Sequence, residues 1–378
     1  MPIKREMLVR RGALDQLAIN DTLASEAGEG ELLLQITAFA VTANTVTYAV
    51  VGEQLRYWDF FPAAEGWGIV PAWGYATVID SRVAEIAVGE RVYGFMPMAT
   101  HLIVRPGRIS AGLFRDMAPH RQPMSAIYNQ YRRLSADPAH DAAHEDLRML
   151  FEPLFLTSFL IEDTLRRDAF HGAGSAVLTS ASSKTALGTA YVLRRNSPGI
   201  RRIGLTSAAN VGFVTATGLY DQVIAYDALG ALAGGGAAVE MGADMGVGMG
   251  ADTGGGVVVI DMAGDAALLR SLYAGMPGRL RHCLRVGATH HDAGGETGLL
   301  AGPRPVWFFA PDAATALIGE IGQDGFNAAV AEAWRGFVAL AGGLVGVEQE
   351  TGMDALQRVW RAQVAGTARP DRGYVVRM

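Results

Sequence analysis

Only one cysteine, Cys283, stands among 378 residues. A lone thiol excludes an intramolecular disulfide framework and any zinc site built from several cysteines, and it suits a reducing compartment. A basic excess is missing as well. The 32 Lys and Arg against 38 Asp and Glu leave a net charge of −6, so there is no electrostatic footprint for nucleic acid. No uninterrupted apolar run approaches the roughly 18–20 residues that a bilayer span needs. "MPIKREMLVRRGALDQ" spreads charge through the first residues and leaves no apolar core for a signal peptide. A cytoplasmic protein without a membrane or nucleic-acid partner is the expectation.

Half of the residues are hydrophobic and 19% are charged, which gives a globular chain with a sizeable core. Single cores rarely grow beyond about 250–300 residues, so two domains are expected. Residues 1–110 read as β-rich: "ELLLQITAFAVTANTVTY" (31–48), "WGYATVID" (73–80) and "VGERVYGFMPMATHLIVRP" (88–106) are apolar, β-branched runs punctuated by Gly and Pro. Helical spacing takes over at 136–152, with Asp137 as N-cap and Pro138 at the first helical position.

From 175 onward short apolar strands alternate with helices, the pattern of a parallel sheet covered on both faces. The strands are "SAVLTSA", "RRIGLTS", "DQVIAYD", "GVVVIDMAG", "RHCLRVGATH" (281–290) and "RPVWFFAP" (304–311). The Gly- and Ala-rich stretch 230–256 interrupts this rhythm and reads as an enlarged loop, with a functional lid as the alternative. Residues 327–361 read as helical and 373–378 as a last strand. The pattern divides the chain into 1–135, 136–325 and a returning tail, 326–378.

Several segments, in order, resemble the medium-chain dehydrogenase/reductase superfamily, and within it the zinc-free quinone and enoyl reductases. "VGERVYGF" (88–95) is similar to the turn closing that family's first domain, and "TANTVTYAVVG" (42–52) to its Asn-containing cleft segment. "YDQVIAYD" (220–227), "VVVIDMAGD" and "LRVGAT" resemble its later Rossmann strands, and "GTARPDRGYVVRM" its ending. The resemblance implies a GroES-like β-rich domain followed by a doubly wound Rossmann domain, together with a homodimer paired near "RPVWFFAP". It also implies that Tyr226, Met262, Gly287 and Thr289 line a dinucleotide.

"VLTSASSKTALG" (177–188) occupies the place of the glycine-rich cofactor turn, with every glycine of the family's pattern replaced. Glycine there permits a tight turn, close pyrophosphate approach and close helix packing. Ala186 is small enough for the last of these roles, whereas the Cβ atoms of Ser182 and Ser183 restrict approach. The hydroxyls of Ser180, Ser182, Ser183 and Thr185, the Lys184 ammonium and the helix N-terminus offer phosphate contacts instead. A P-loop is excluded, because Leu178 and Ser183 stand where its glycines are required. A βα turn without ligand stays open.

The second strand ends in Thr206 and Ser207, with Asn210 nearby and no carboxylate before Asp221. NAD-binding folds place an acid there for the ribose 2′-hydroxyl, so NADP(H) is the expected cofactor. The family's zinc-ligand segments here lack cysteine and histidine. His140 and His144 would share a helix face, but their Asp-rich surroundings read as a solvated surface; His290 and His291 would point apart. Reduction without a metal needs a proton donor for the developing alkoxide or enolate. By resemblance to the cleft segment that role falls to Tyr48 beside Asn44, with a packed tyrosine as the alternative. In "RYWDFFP" (56–62), Tyr57, Trp58 and Phe60 either wall a hydrophobic substrate or pack in the core, where Tyr93 and His101 are expected too. The expected function is an NADP-dependent, zinc-independent oxidoreductase acting on a C=C bond or carbonyl of a small hydrophobic molecule. A catalytically silent dinucleotide-binding or interaction protein is the alternative, and redox-neutral use of the cofactor is a third reading.

Overall fold

The structure, a computed structural model, describes residues 2–233, 255–286 and 300–378. It divides into two compact units. One comprises Met1–Pro153 with Val338–Met378, and the other Leu154–Phe337. The crossings fall inside two helices, whereas the sequence pattern suggested breaks after 135 and 325.

The chain begins with a hairpin of β1 (Ile3–Arg10) and β2 (Ala13–Leu23), turned at Gly12. β3 (Leu32–Val41) is buried on both faces because it runs through the middle of the larger sheet. Helix α1 (Ala43–Val50) follows at once, where the β-branched run 31–48 had suggested continued strand. A capping box overrides that propensity: the Thr45 hydroxyl accepts the Thr42 N–H at 3.0 Å and the two side chains meet. Then come β4 (Trp67–Gly68), β5 (Pro71–Ser81), β6 (Arg91–Pro97), β7 (His101–Val104), β8 (Pro106–Gly107), β9 (Leu113–Asp116) and β10 (Gln130–Arg133).

The helix expected over 136–152 starts later, as α2 (Glu145–Arg167). Asp137 does not cap it. Its carboxylate accepts the Ala139 N–H at 3.0 Å and binds the buried Arg148 at 2.5 Å, so the stretch is held as a loop.

The second unit is built from β11 (Ala173–Leu178), α3 (Lys184–Asn196), β12 (Arg201–Thr206), α4 (Val211–Ala216), β13 (Gln222–Ala225), α5 (Gly230–Ala233), β14 (Gly256–Asp261), α6 (Ala266–Gly275), β15 (Leu280–Arg285) and β16 (Val306–Trp307). Its strands are parallel and ordered β13-β12-β11-β14-β15-β16, the doubly wound dinucleotide-fold order. Runs such as Val257–Ile260 are wholly buried, as parallel strands between helix layers must be. "RPVWFFAP" yields only a two-residue strand, because helix α7 (Ala310–Leu344) begins at Ala310. Most of 230–256 (234–254) and the end of the fifth strand segment lie outside the described residues.

The tail expected to be helical over 327–361 is interrupted by β17 (Gly346–Thr351) before α8 (Gly352–Val364). Its polar sequence, "GVEQET", becomes strand through parallel pairing with β18 (Arg372–Arg377). β18 in turn pairs with β3, giving the order β17-β18-β3-β5-β6-β10-β9-β8, with β7 also on β3. On α8 the buried Trp360 donates its indole N–H to the Leu14 carbonyl at 2.7 Å. Among the described residues no helix is long and apolar enough to cross a membrane.

Candidate functional site

In a doubly wound sheet the strand order reverses between the first and fourth strands, and ligands bind outside their carboxyl ends. Here those ends belong to β11 and β14. Thr179 follows β11, and Asp261, 1% exposed, ends β14. The turn after β11 is strained at Ser180, whose φ of +49° is a left-handed value that favours glycine. Its N–H donates to the Tyr226 hydroxyl at 2.9 Å. The next residue, Ala181, packs on β12 at Gly204, where an added Cβ would lie 2.9 Å from the alanine's own.

Ser182 Oγ accepts from Asn210 Nδ2 at 3.3 Å. Ser183 is the N-cap of α3; its hydroxyl accepts the Ala186 N–H at 3.2 Å and reaches Met262 Sδ at 3.8 Å. Lys184 opens the helix half-buried, and burial pushes its ammonium down to about 8. The Thr185 carbonyl accepts from the hydroxyls of Ser158 and Thr189, both at 2.8 Å. The structure thus gathers Ser180, Ser182, Ser183, Asn210, Tyr226 and Met262 around one turn.

Thr206 is buried at the end of β12, and Ser207 is half-buried beyond it. Asp221, the first carboxylate after β12 in sequence, is held at the opposite end of the sheet. It accepts the Arg202 N–H at 2.7 Å and pairs with that guanidinium at 2.6 Å, beside the amino ends of β12 and β13. Gly287 and Thr289 lie outside the described residues, as do His290 and His291. Thr179 and Asp261 were not singled out from the sequence. Their signal was the polar residue that first interrupts each of two apolar runs.

In the first unit, α1 carries Asn44 and Tyr48 one turn apart. Trp73 Nε1 donates to the Tyr48 hydroxyl at 3.1 Å. Burial drives the Tyr48 phenol well above its ordinary value, while hydrogen bonding from Trp73 and Asn44 opposes that shift. Its ring lies 4.6 Å from Tyr57 and 5.2 Å from Phe95. The Tyr57 and Tyr128 hydroxyls meet at 3.0 Å, and Phe60 stands 5.5 Å from Tyr128. Trp58 turns away and fills the space left by Gly52 and Gly68, where added Cβ atoms would lie 2.3 and 2.2 Å from it. Trp73, Phe95 and Tyr128 join the cluster without having been anticipated.

Tyr93 is buried beneath the Arg148 guanidinium, 4.5 Å from its ring centroid. His101 is buried against the Thr100 hydroxyl, at 2.8 Å. The shared helix face expected for His140 and His144 does not form, because both precede α2. Each ring finds a carboxylate instead, Glu145 at 2.8 Å and Asp141 at 2.7 Å. Among the described residues no group of three or more His, Cys, Asp or Glu is placed to hold a metal ion.

A family model described as "Protein of unknown function (DUF2855)" matches residues 39–369. None of the curated proteins compared matches the chain in sequence. Solved structures similar to it include CurA in complex with NADPH from Vibrio vulnificus, at 14% identity and a TM-score of 0.59 over 99% of both chains. The yhdH oxidoreductase from Salmonella enterica in complex with NADP shares 12% identity, with a TM-score of 0.55 over 99% of both chains. The Etr1p/NADP/crotonyl-CoA complex shares 10% identity, with a TM-score of 0.56 over the whole of each chain. Likeness at these identities establishes the fold alone: a β-rich unit together with a doubly wound parallel-sheet unit.

Proposed function

From the premise that the chain belongs to the family described as "Protein of unknown function (DUF2855)", which assigns no chemistry, we propose an activity read from the site. The protein is an NADP-dependent, zinc-independent reductase of an activated C=C bond or carbonyl in a small hydrophobic molecule. The observation that carries this reading is the β11–turn–α3 unit at the sheet's reversal, with Lys184 at the helix start and Asp221 drawn to the far end of the strands. Similar structures solved with NADPH or NADP support it.

The residues present fit a 2′-phosphorylated dinucleotide. The α3 N–H groups, Ser182 and Lys184 would hold the pyrophosphate, and Ser207 with Asn210 the 2′-phosphate. Tyr226, which touches the turn, would flank the bound molecule. When bound, the cofactor supplies a hydride. Tyr48 serves as the donor that neutralises developing negative charge on the substrate oxygen, and Tyr57 and Phe60 contribute the apolar wall.

A second reading, a dinucleotide-binding protein without turnover, draws on the internal satisfaction of the turn. Ser180 N–H is already taken by Tyr226, and the Ser183 hydroxyl by its own helix. Fluorescence titration with NADPH, followed by turnover assays on enones, quinones and aldehydes, separates the two. Failure to bind NADPH at millimolar concentration overturns both; binding without turnover on any of these selects the second. In the first reading, Tyr48→Phe lowers kcat by about a hundredfold and leaves NADPH affinity unchanged. The protein is also proposed to be a cytoplasmic homodimer paired along β16, whose Val306 and Trp307 are 47% and 63% exposed.

A further inference from the structure

The Tyr48 oxygen has an accepting position taken by Trp73. Trp73 Nε1 reaches it at 3.1 Å, and an indole N–H can only donate, so Tyr48 must accept from it. Tyr48 therefore has its own proton to place elsewhere. The residue is 6% exposed, and among the described residues no acceptor takes that proton. A buried O–H without an acceptor is unfavourable, which marks the position as one that an outside acceptor would complete.

The surroundings define what that acceptor belongs to. The Tyr57 and Tyr128 hydroxyls share one hydrogen bond at 3.0 Å, which uses one of their two protons. The Trp73 and Tyr128 rings stand 6.1 Å apart at 44°, and Phe95 lies edge-on to Tyr48. Asn44, Tyr57, Trp73 and Tyr128 are half-buried, so the cluster reaches the surface of its unit. Aromatic faces accept flat π systems, and the unused Tyr48 donor asks for an oxygen lone pair.

We propose that Trp73 is a positioning residue: its indole N–H occupies the acceptor side of Tyr48 and so holds the phenol proton for the oxygen of a flat, conjugated carbonyl ligand. The ligand class rests on the reductase reading above, whereas the Trp73–Tyr48 relation does not depend on the cofactor. Phenylalanine at 73 would keep a ring but free the phenol to rotate.

The test uses the full-length protein with 2-cyclohexenone as probe. Infrared difference spectra report the carbonyl stretch of the bound enone. Ultraviolet resonance Raman, as the difference between wild type and Trp73→Phe, isolates the hydrogen-bonding state of this indole among six tryptophans. The expected results are a single downshifted carbonyl band in wild type, a broadened and less shifted band in Trp73→Phe, and loss of the shift in Tyr48→Phe. Trp73→His, which restores a ring N–H, recovers the single band. The difference between wild type and Tyr48→Phe shows one tryptophan marker moving to a weaker-bonded position, and this comparison decides the pairing even if Trp73→Phe fails to fold.

An identical carbonyl band in wild type and Trp73→Phe, or an indole marker indifferent to Tyr48→Phe, overturns the proposal. NADPH-dependent enone reduction alongside either result leaves the reductase reading standing. A shifted band that depends on Trp73, without turnover, leaves the proposal standing and removes the reductase. An enone that does not bind overturns the ligand class.

Discussion

The Thr179 hydroxyl donates to the Asp261 carboxylate at 2.9 Å, joining the two strand ends between which the parallel sheet reverses. The same oxygen accepts the N–H groups of Met262 and Ala263 at 2.8 and 3.0 Å, and Asp261 also takes the Gly264 N–H at 3.2 Å. One side chain thus fixes the floor beneath the proposed cofactor turn.

Thr179→Val preserves shape but leaves a buried carboxylate and two buried N–H groups without their partner. Each such group costs about 1–3 kcal/mol, so a loss of about 3 kcal/mol is expected in urea unfolding. Thr179→Ser, which keeps the hydroxyl, should recover most of it. An unchanged unfolding midpoint in the valine variant would show that the bond contributes nothing.

Lys184 gives a pH signature. Burial lowers its folded value to about 8 from an ordinary 10.5, so the unfolded chain holds that proton more tightly. The resulting destabilisation is complete below pH 8 and fades as pH rises toward 10.5. Lys184→Met should therefore be more stable than wild type at neutral pH, with the gap closing over that alkaline window. NADPH affinity should be about tenfold weaker in the variant at pH 7, and wild-type affinity should decline above pH 8. Thermal melts and titrations across pH 6–10 measure both.

Ser180→Gly removes a left-handed L-residue. The strain relieved, about 1–2 kcal/mol, offsets the entropic penalty of glycine, about 0.5–1 kcal/mol, and the lost Ser180 side-chain bond with Tyr226, so a stability within about 1 kcal/mol of wild type is expected. NADPH should bind no more weakly, because the glycine clears the backbone. A loss of several kcal/mol in urea unfolding would contradict the strained turn.

Gly188 lets α3 approach α2: an added Cβ would lie 2.7 Å from Ser158 Oγ. Gly188→Ala should lose about 1–3 kcal/mol through overpacking. Adding Ser158→Ala should return part of that loss, the non-additivity expected of touching side chains. Strict additivity would place the two residues apart.

Trp307→Glu puts a charge on the exposed strand β16. If that edge pairs two copies, light scattering should show the variant shifting from dimer to monomer at micromolar concentration. A wild type that is already monomeric removes the proposed dimer.

The Rossmann unit was legible because its strands are buried on both faces, which leaves unbroken runs such as "GVVVID" between helices. What escaped depended on distant partners. Nothing local marks "GVEQET" as strand until β18 arrives beside it, and the Thr42–Thr45 box lay hidden in a run of strand-forming residues. Asn44, Tyr48, Tyr57 and Phe60 were named from sequence as site residues. Trp73 was not, because its bond to Tyr48 spans 25 positions and two element types. Ser182 and Ser183 were expected to bear the restriction of the lost glycines, yet the left-handed residue is Ser180.

The pairing of β18 with β3 sets the order in which the molecule can be completed. The Rossmann unit is contiguous, Leu154–Phe337, and its partners are all available once that stretch has left the ribosome. The other unit is split around it. Its central strand β3 gains one neighbour only when Arg372–Arg377 has been synthesised, and Leu14 waits for the indole of Trp360, 346 residues later. Long-range closure of this kind is slow. Until then the Ala38–Val41 half of β3 lacks its β18 neighbour, although the inserted unit has all of its own partners, and an unpaired strand edge of this kind favours edge-to-edge association and chaperone binding.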